Sequence, residues 1–200
     1  YWATDEVPTW NWVPVAAPSG RDHAVLVLPT GPADPMESCS LLFVALLHAA
    51  QARGWIATPY FGFDARITTA LQLAALRGVD VRIIVPAAGD HAATFVAGRS
   101  YSADALEAGC RILEDGPGFP HQKVVLVDDG LATVGSANMD NRSMRLNFEL
   151  GVLVEDVDFA SEVAAMLLTD MEQTTEVARG AFDRKSYWFR LRSRFARLFA

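Results

Sequence analysis

The chain has 200 residues, of which 51% are hydrophobic and 20% are charged. This composition is typical of one folded domain with a well-filled core and excludes a disordered segment. The formal net charge of −7 argues against a general nucleic-acid binder, because neutralising phosphates normally requires a basic surface.

The first half of the chain alternates predicted strands and helices. A short apolar run over 25–28 predicts the first strand, and apolar residues recur at helical spacing from 36 to about 53, where Gly54 is expected to end the helix. The segment 55–61 predicts a second strand. Asp64 is a suitable cap for a helix over 65–77 that ends at Gly78, and a strand follows over 79–86.

The second half continues the alternation. We predict a helix within 92–108, a strand over 110–114, a hairpin over 124–135, a strand over 146–154 and an amphipathic helix over 158–177. The predicted fold class is therefore α/β, with a mixed β-sheet sandwiched by helices. Cys39 and Cys110 lie far apart without metal-ligand spacing, which predicts buried free thiols.

The hairpin carries reactive side chains. His121, Lys123 and Asp128 have the spacing H-x-K-x4-D, and Asp129-Gly130 is a favoured two-residue hairpin loop. Residues two apart in a strand share a face, so the imidazole and the ammonium project the same way. An imidazole can attack phosphorus, and an ammonium can hold the oxygens on which negative charge develops. The pattern therefore indicates phosphoryl transfer.

A turn of small residues, Gly135-Ser136-Ala137-Asn138, follows the hairpin. Ser136 and Asn138 offer hydroxyl and amide donors of the kind that bind a phosphate, although both are also ordinary turn residues. Glu149 lies within an apolar strand, where a carboxylate is costly to bury unless it is paired.

The block from His121 to Glu149 resembles the HKD signature of the phospholipase D superfamily, and GSANMDNRSMRLNFE is most similar to the second such motif of bacterial cardiolipin synthases. The resemblance continues upstream through PSGRDHAVLVLPTGPADP, WIATPYF and GVDVRIIVP. It implies a phospholipase D-like fold in which His121, Lys123, Asp128 and Glu149 are catalytic. Asp128 is then an acceptor that organises nearby donors, and Glu149 accepts a hydrogen bond from the histidine and sets its tautomer.

The same resemblance leaves some roles open. Ser136 and Asn138 are expected to bind the substrate phosphate, whereas Arg142 and Arg145 either hold the loop by salt bridges or contact the lipid headgroup. The implied reaction passes through a covalent phosphohistidine, and neither a metal nor another cofactor is expected. One histidine cannot be both nucleophile and acid. A second HKD domain is therefore expected from a missing N-terminal half or from a homodimer, and His121 takes either role.

Three segments are expected. Residues 1–20 resemble the tail of a preceding domain with a linker, 21–180 form the HKD domain, and 181–200 form a basic amphipathic helix. That last segment carries six basic residues and one acidic residue, a pattern suited to an anionic membrane surface. No window reaches the roughly 18 apolar residues of a membrane span.

The resemblance thus implies a phosphatidyltransferase of the cardiolipin synthase type, which moves a phosphatidyl group between two phosphatidylglycerol molecules and releases glycerol. The expected partners are anionic phospholipid and a membrane surface, not nucleic acid, and the expected location is the bacterial cell membrane, with peripheral attachment. The alternatives are a phospholipase D-like hydrolase, a homodimeric HKD nuclease, and an inactive half-enzyme that lacks its partner motif.

Overall fold

A computed structural model of the chain describes residues 23–62, 65–87, 102–116 and 121–181. Eight strands form one mixed sheet in the order β1-β9-β7-β6-β2-β4-β5-β10, and β3 pairs with β8 in a separate small sheet. Helices cover both faces of the large sheet, so the predicted α/β class with a mixed sheet between helices is confirmed.

The first elements are β1 (Ala24–Thr30), α1 (Ser38–Ala49), β2 (Arg53–Ala57), β3 (Phe61–Gly62), α2 (Ala65–Leu76) and β4 (Asp80–Pro86). A helix α3 over 102–108 follows. The chain then forms β5 (Arg111–Asp115), β6 (Val124–Val127), β7 (Leu131–Gly135), β8 (Met139–Asp140), α4 (Asn141–Arg145), β9 (Glu149–Glu155), α5 (Val157–Met171) and β10 (Thr174–Glu176).

The sheet changes direction at its centre. Strands β2, β4 and β5 run parallel, whereas β2-β6, β6-β7, β7-β9 and β9-β1 pair antiparallel. The parallel part requires helical crossovers, and within the antiparallel part β6 and β7 form a hairpin with a short loop. The reactive residues all lie on the antiparallel part.

Strand periodicity divides the core in two. Val125 and Val127 pack with α1 and α2 on one face of the sheet, while Val124 and Leu126 pack with α5 on the other face. All four residues of VVLV in β6 are buried. A strand that is buried on both faces needs apolar residues at every position, which explains the continuous hydrophobic run. The strand is thereby held rigidly between two packed layers.

Several predicted boundaries were wrong. Helix α1 ends at Ala49, and Gly54 lies inside β2, where it packs against Leu47, so it does not terminate the helix. The segment 55–61 is not one strand, because β2 ends at Ala57 and β3 is a separate two-residue strand that pairs with β8.

The hairpin and the segments after it also differ from the expectation. The β6-β7 loop has three residues, since Val127 pairs with Leu131 and Asp128 adopts a left-handed φ of 51°. The strand expected from 146 begins at Glu149, because α4 occupies 141–145. The final helix ends at Met171, and 174–176 form the edge strand β10.

Other expectations fall on residues outside the described ranges. These are the proposed linker and preceding domain over 1–20, the cap at Asp64, the part of the predicted helix over 92–101 and the basic helix over 182–200.

Candidate active site

The start of β6 brings the histidine and the lysine together. Lys123 precedes the strand directly, and the two-residue period carries its side chain to the same face as Val125 and Val127. Its Nζ lies 2.8 Å from Nδ1 of His121 and donates to the backbone oxygen of His121 at 2.8 Å. The two side chains therefore share one face of the sheet and touch each other.

The contact between these two groups constrains the histidine. An ammonium has three donors and no acceptor, so Nδ1 of His121 must accept the hydrogen bond from Lys123. A neutral ring that accepts at Nδ1 carries its proton on Nε2. The same Nζ also lies 3.4 Å from Nε2, so the ammonium is close to both ring nitrogens, and the tautomer depends on which of them it contacts.

The environment of Lys123 shifts its ionisation. Burial lowers the pKa of the ammonium, while the negative charges of Glu149 and Asp140 oppose that shift. The net result is a pKa below the ordinary lysine value. A cation that is only partly neutralised by two nearby carboxylates is arranged to attract an anion such as a phosphate.

Glu149 is buried at the first position of β9 and is held by two donors. The hydroxyl of Ser136 donates to one carboxylate oxygen, and Nδ2 of Asn147 donates to the other at 3.1 Å. The same Ser136 hydroxyl accepts the backbone N–H of Leu150 at 2.9 Å. The carboxylate thus has the hydrogen bonds that make its burial tolerable.

Gly135 permits this arrangement by allowing close backbone approach. A Cβ at this position would lie 2.5 Å from the carbonyl oxygen of Leu150 and 3.1 Å from Cα of Gly151. The strands β7 and β9 therefore meet where neither has a side chain, and the next residue, Ser136, reaches Glu149.

The loop after Ser136 is held by polar contacts. The backbone N–H of Asn138 donates to Oγ of Ser143 at 3.1 Å, and that of Met139 donates to Oγ1 of Thr58 at 3.2 Å. Asp140 caps α4 by accepting the N–H of Ser143 at 2.8 Å. The Oδ1 atom of Asn138 is buried without a hydrogen-bond partner among the described residues.

Asp140, Asn147 and Thr58 were missed by the sequence reasoning. Asp140 was detectable, because an Asp three residues before a Ser at the start of a short helix is a capping signal. Burial raises its pKa, and the capped N–H groups and Arg142 counteract that effect only in part. Thr58 could not be found, since its contact with Met139 spans 81 residues of sequence.

The site is open to solvent above a small enclosed space. Lys123 and Glu149 line a cavity of about 20 Å³ together with Thr30, Cys39 and Thr133. That volume holds roughly one water molecule, so any larger ligand has to bind outside it, over the exposed His121 and Ser136.

Asp128 lies at the opposite end of β6 from Lys123, about 16 Å away along an extended strand. Its carboxylate accepts the backbone N–H groups of Gln51, Ala52 and Arg53 at 3.0, 2.7 and 2.9 Å. Partial burial opposes ionisation, but these hydrogen bonds, from Arg53, Ala52 and Gln51 in turn, lower the pKa of the carboxyl. Its contacts therefore organise the α1–β2 connection rather than the site around His121 and Lys123.

The two arginines differ in their surroundings. Nε of Arg145 lies 3.4 Å from Glu37 at the start of α1, and Arg66 of α2 also pairs with Glu37. Arg145 is therefore placed to hold α4 against α1. Arg142 is exposed, and its backbone oxygen accepts the N–H groups of Leu146 and Asn147 at 2.8 and 2.9 Å.

Both cysteines are free and buried. Burial raises the pKa of Cys39 to about 11 and that of Cys110 to about 12. Within the described ranges, no group of three or more His, Cys, Asp or Glu side chains is arranged to hold a metal ion. No helix in those ranges has the length and apolar character needed to cross a bilayer.

Comparison with known proteins gives consistent similarities. Residues 43–171 match the family described as cardiolipin synthase, PLD-like domain. The chain is 49% identical over 180 residues to cardiolipin synthase A of Pseudomonas putida strain W619, and 48% identical over 181 residues to that of Pseudomonas syringae pv. syringae strain B728a. These alignments include 88% and 89% of the chain but only 36% and 37% of the relatives, so the chain spans about a third of their length.

Solved structures share the fold. Nuc, a phospholipase D family member from Salmonella typhimurium, superposes with a TM-score of 0.67 at 22% identity, covering 78% of this chain and 99% of Nuc. Phosphatidylserine synthase from Haemophilus influenzae Rd KW20 superposes with a TM-score of 0.68 at 20% identity, covering 88% of this chain and 46% of the other. At these identities, the likeness concerns the fold alone.

Proposed function

The chain belongs to the cardiolipin synthase, PLD-like domain family, and from this we propose that it is the HKD domain of a phosphatidyltransferase that acts on phosphatidylglycerol. The contact of Lys123 with His121, on the face of the sheet that also carries Glu149, is the observation that carries the proposal. The domain extends over about 21–180, and residues 1–20 and 181–200 lie at its borders.

The proposed reaction has two displacements. A histidine nitrogen attacks the phosphorus of one phosphatidylglycerol, a P–N bond forms, and the P–O bond to glycerol breaks as an acid protonates the leaving oxygen. A hydroxyl of a second phosphatidylglycerol then attacks, gives its proton to the base, and breaks the P–N bond. The products are cardiolipin and glycerol.

Lys123 is assigned to the non-bridging oxygens of the phosphate. Its ammonium is partly buried next to the position where negative charge develops, and there a fixed cation is most effective. Asn138 is proposed to add an amide donor at the same edge of the sheet, and the notional phosphate donor Ser136 can serve only when its hydroxyl leaves Glu149, to which it donates in the structure. Positive field from these groups removes the need for a metal in the proposed reaction.

We assign to Glu149 the role of setting the tautomer of His121. A nucleophilic Nε2 requires the proton on Nδ1, where a carboxylate can accept it. Lys123 lies 2.8 Å from Nδ1 and 3.4 Å from Nε2, so it occupies the position from which Glu149 would accept the Nδ1 proton. A bound phosphate that draws the ammonium away would free Nδ1 for Glu149, so both roles remain open to His121.

A second HKD domain is proposed to complete the site. His121 and Ser136 are exposed, and a reaction through a phosphohistidine needs a second histidine in the other role. The partner is another segment of the same protein or a second copy of it.

The test is cardiolipin formation by the protein that contains this chain, in vesicles of phosphatidylglycerol with chelator present. We expect transfer without added metal, and a covalent phosphohistidine after quenching in detergent at alkaline pH, where the P–N bond survives. His121→Ala should abolish transfer, and His23→Ala, at an exposed histidine that pairs with Asp156 beyond the far end of β9, should leave it unchanged.

Three outcomes would contradict this proposal in different ways. Activity that survives in His121→Ala would refute the site. Release of phosphatidic acid without cardiolipin would indicate a hydrolase, and cleavage of DNA by a dimer would indicate a nuclease. Turnover by a monomer of residues 1–200 alone would refute the need for a second HKD domain.

A further inference from the structure

Helices α1 and α2 lie side by side and parallel, with a groove between them. At their N-terminal ends, Arg66 pairs with Glu37. At their C-terminal ends, Nη2 of Arg77 donates to the backbone oxygens of Leu47, His48 and Ala50 at 3.2, 3.2 and 2.9 Å. The groove has a volume of about 400 Å³ and is lined by apolar groups of Val44, Ala65, Ala70 and Leu73. The two arginines stand about 16 Å apart at its ends.

The charge of this face is opposite to that of the protein. Neither α1 nor α2 contains an acidic residue, although the chain has 24 acidic residues and a net charge of −7. On the other side of the sheet, α5 contains three acidic residues and no basic one. The acidic residues of α3, Asp104 and Glu107, mark the border of the cationic region.

Apolar side chains are exposed on the same face. Leu76 is 74% accessible, and Leu41 and Leu73 are each 45% accessible. Arginines at both ends of an apolar surface are the combination that binds the interface of an anionic bilayer. The carboxylate at the N-terminal end, Glu37, is shared by Arg66 and Arg145. An acidic surface such as that of α5 is repelled by the same bilayer.

The groove is separate from the active site but close to it. Cys39, Leu42 and Phe43 of α1 line the cavity below Lys123, while Val44 and His48 of the same helix face the groove. The cavity and the groove therefore lie on different sides of the same helix.

We propose that the α1–α2 groove is a docking surface for an anionic phospholipid bilayer. This inference rests on the proposed action on phospholipid, and it locates membrane contact on the folded domain in addition to the basic C-terminal segment. Charge complementarity and the exposed leucines favour a lipid surface over a protein partner.

Two matched pairs of substitutions test the proposal. Leu73→Glu in α2 and Leu168→Glu in α5 make the same change at positions that are 45% and 44% accessible. Thr69→Lys and Thr169→Lys replace exposed threonines whose hydroxyls both donate to the carbonyl four residues earlier. Binding is measured by flotation of the whole protein with phosphatidylcholine vesicles that contain about 25% phosphatidylglycerol.

We expect Leu73→Glu to weaken partitioning about tenfold and Thr69→Lys to strengthen it about fivefold. The two α5 variants should stay within about twofold of the parent. Thr69→Lys is expected to increase vesicle binding. Misfolding of Leu73→Glu could therefore explain a loss of binding in that variant but not the gain in Thr69→Lys.

Equal effects within each pair would overturn the proposal, as would unchanged binding in both α2 variants. A change in subunit association instead of vesicle binding would assign the groove to a protein partner. Flotation requires no turnover, so failure of the groove and failure of the phosphatidyltransferase assignment are separate results. Transfer assayed on detergent-dispersed phosphatidylglycerol reports on the latter alone.

Discussion

The hydroxyl of Ser136 donates a hydrogen bond to the carboxylate of Glu149, and so connects the end of β7 to the start of β9 across 13 residues of sequence. Because Ser136 also accepts the N–H of Leu150, its orientation is set by backbone as well as by side chain. The carboxylate beside Lys123 is therefore held in place before any substrate binds, which is the kind of preorganisation that favours catalysis.

Glu149→Gln tests the carboxylate. The amide keeps the size of the side chain but removes the charge, so we expect kcat for phosphatidyl transfer to fall about a hundredfold or more. Ser136→Ala leaves Asn147 as a donor to Glu149, and we expect a smaller loss of about tenfold. Glu155→Gln, at the exposed far end of β9, is the control. A larger loss in Ser136→Ala than in Glu149→Gln would contradict this order.

The lowered pKa of Lys123 predicts how the rate of transfer falls at alkaline pH. Burial lowers its pKa, so the ammonium is lost as the pH rises through a value below that of free lysine, and transfer should decline there. Lys123→Arg keeps its charge at higher pH and should move the decline upward while lowering the maximum rate.

The Glu149→Gln variant also tests the assignment of the alkaline decline to Lys123, because it should shift that decline to lower pH. Glu149 raises the pKa of Lys123, so any residual activity of Glu149→Gln should decline at lower pH than that of the parent. The measurement is log kcat/KM against pH. An alkaline limb that stays in place in Lys123→Arg would show that another group titrates there.

Asp128→Asn tests a structural role. Asparagine tolerates the left-handed φ of 51° but lacks the charge that binds three backbone N–H groups. We expect a loss of about 1–2 kcal/mol in the free energy of unfolding at neutral pH, a modest figure because the site is partly solvated. Transfer per folded molecule should change little.

The stability lost in Asp128→Asn should depend on pH. Because the folded pKa of Asp128 is lowered, its contribution is present above the unfolded pKa and disappears as the pH falls through the folded value. Urea denaturation of parent and variant should therefore converge in acid. A constant difference across that range would contradict the role of the charge.

Gly135→Ala tests the close approach of β7 and β9. The added Cβ would lie 2.5 Å from the oxygen of Leu150, so the strands must separate, at a cost of about 1–3 kcal/mol. Gly130→Ala in the hairpin loop is the control, because no atom lies within 4 Å of its added Cβ. Thermal unfolding of the two variants gives the comparison, and equal midpoints would show that the strands adjust freely.

The local sequence pattern was sufficient to predict both strands of the hairpin. VVLV and LATVG are strands on either side of a turn, and the period of two determines that His121 and Lys123 share a face. The loop length was misjudged because Asp128 takes a left-handed conformation that an Asp-Gly pair does not reveal. The hydrogen bonds that favour this conformation come from residues 51–53, which no local pattern includes.

The sequence by itself determined the chemistry of this protein: the histidine and lysine two residues apart, the small-residue turn, and a carboxylate in an apolar strand. Tertiary structure alone decided which of those groups meet. It brought Glu149 to Ser136, bonded Asp128 to the backbone of residues 51–53, and placed α1 and α2 together on the face opposite the acidic α5. The physical reason is that spacing within a strand or helix is set by the backbone period, whereas contacts across a sheet depend on register and packing between segments far apart in the chain.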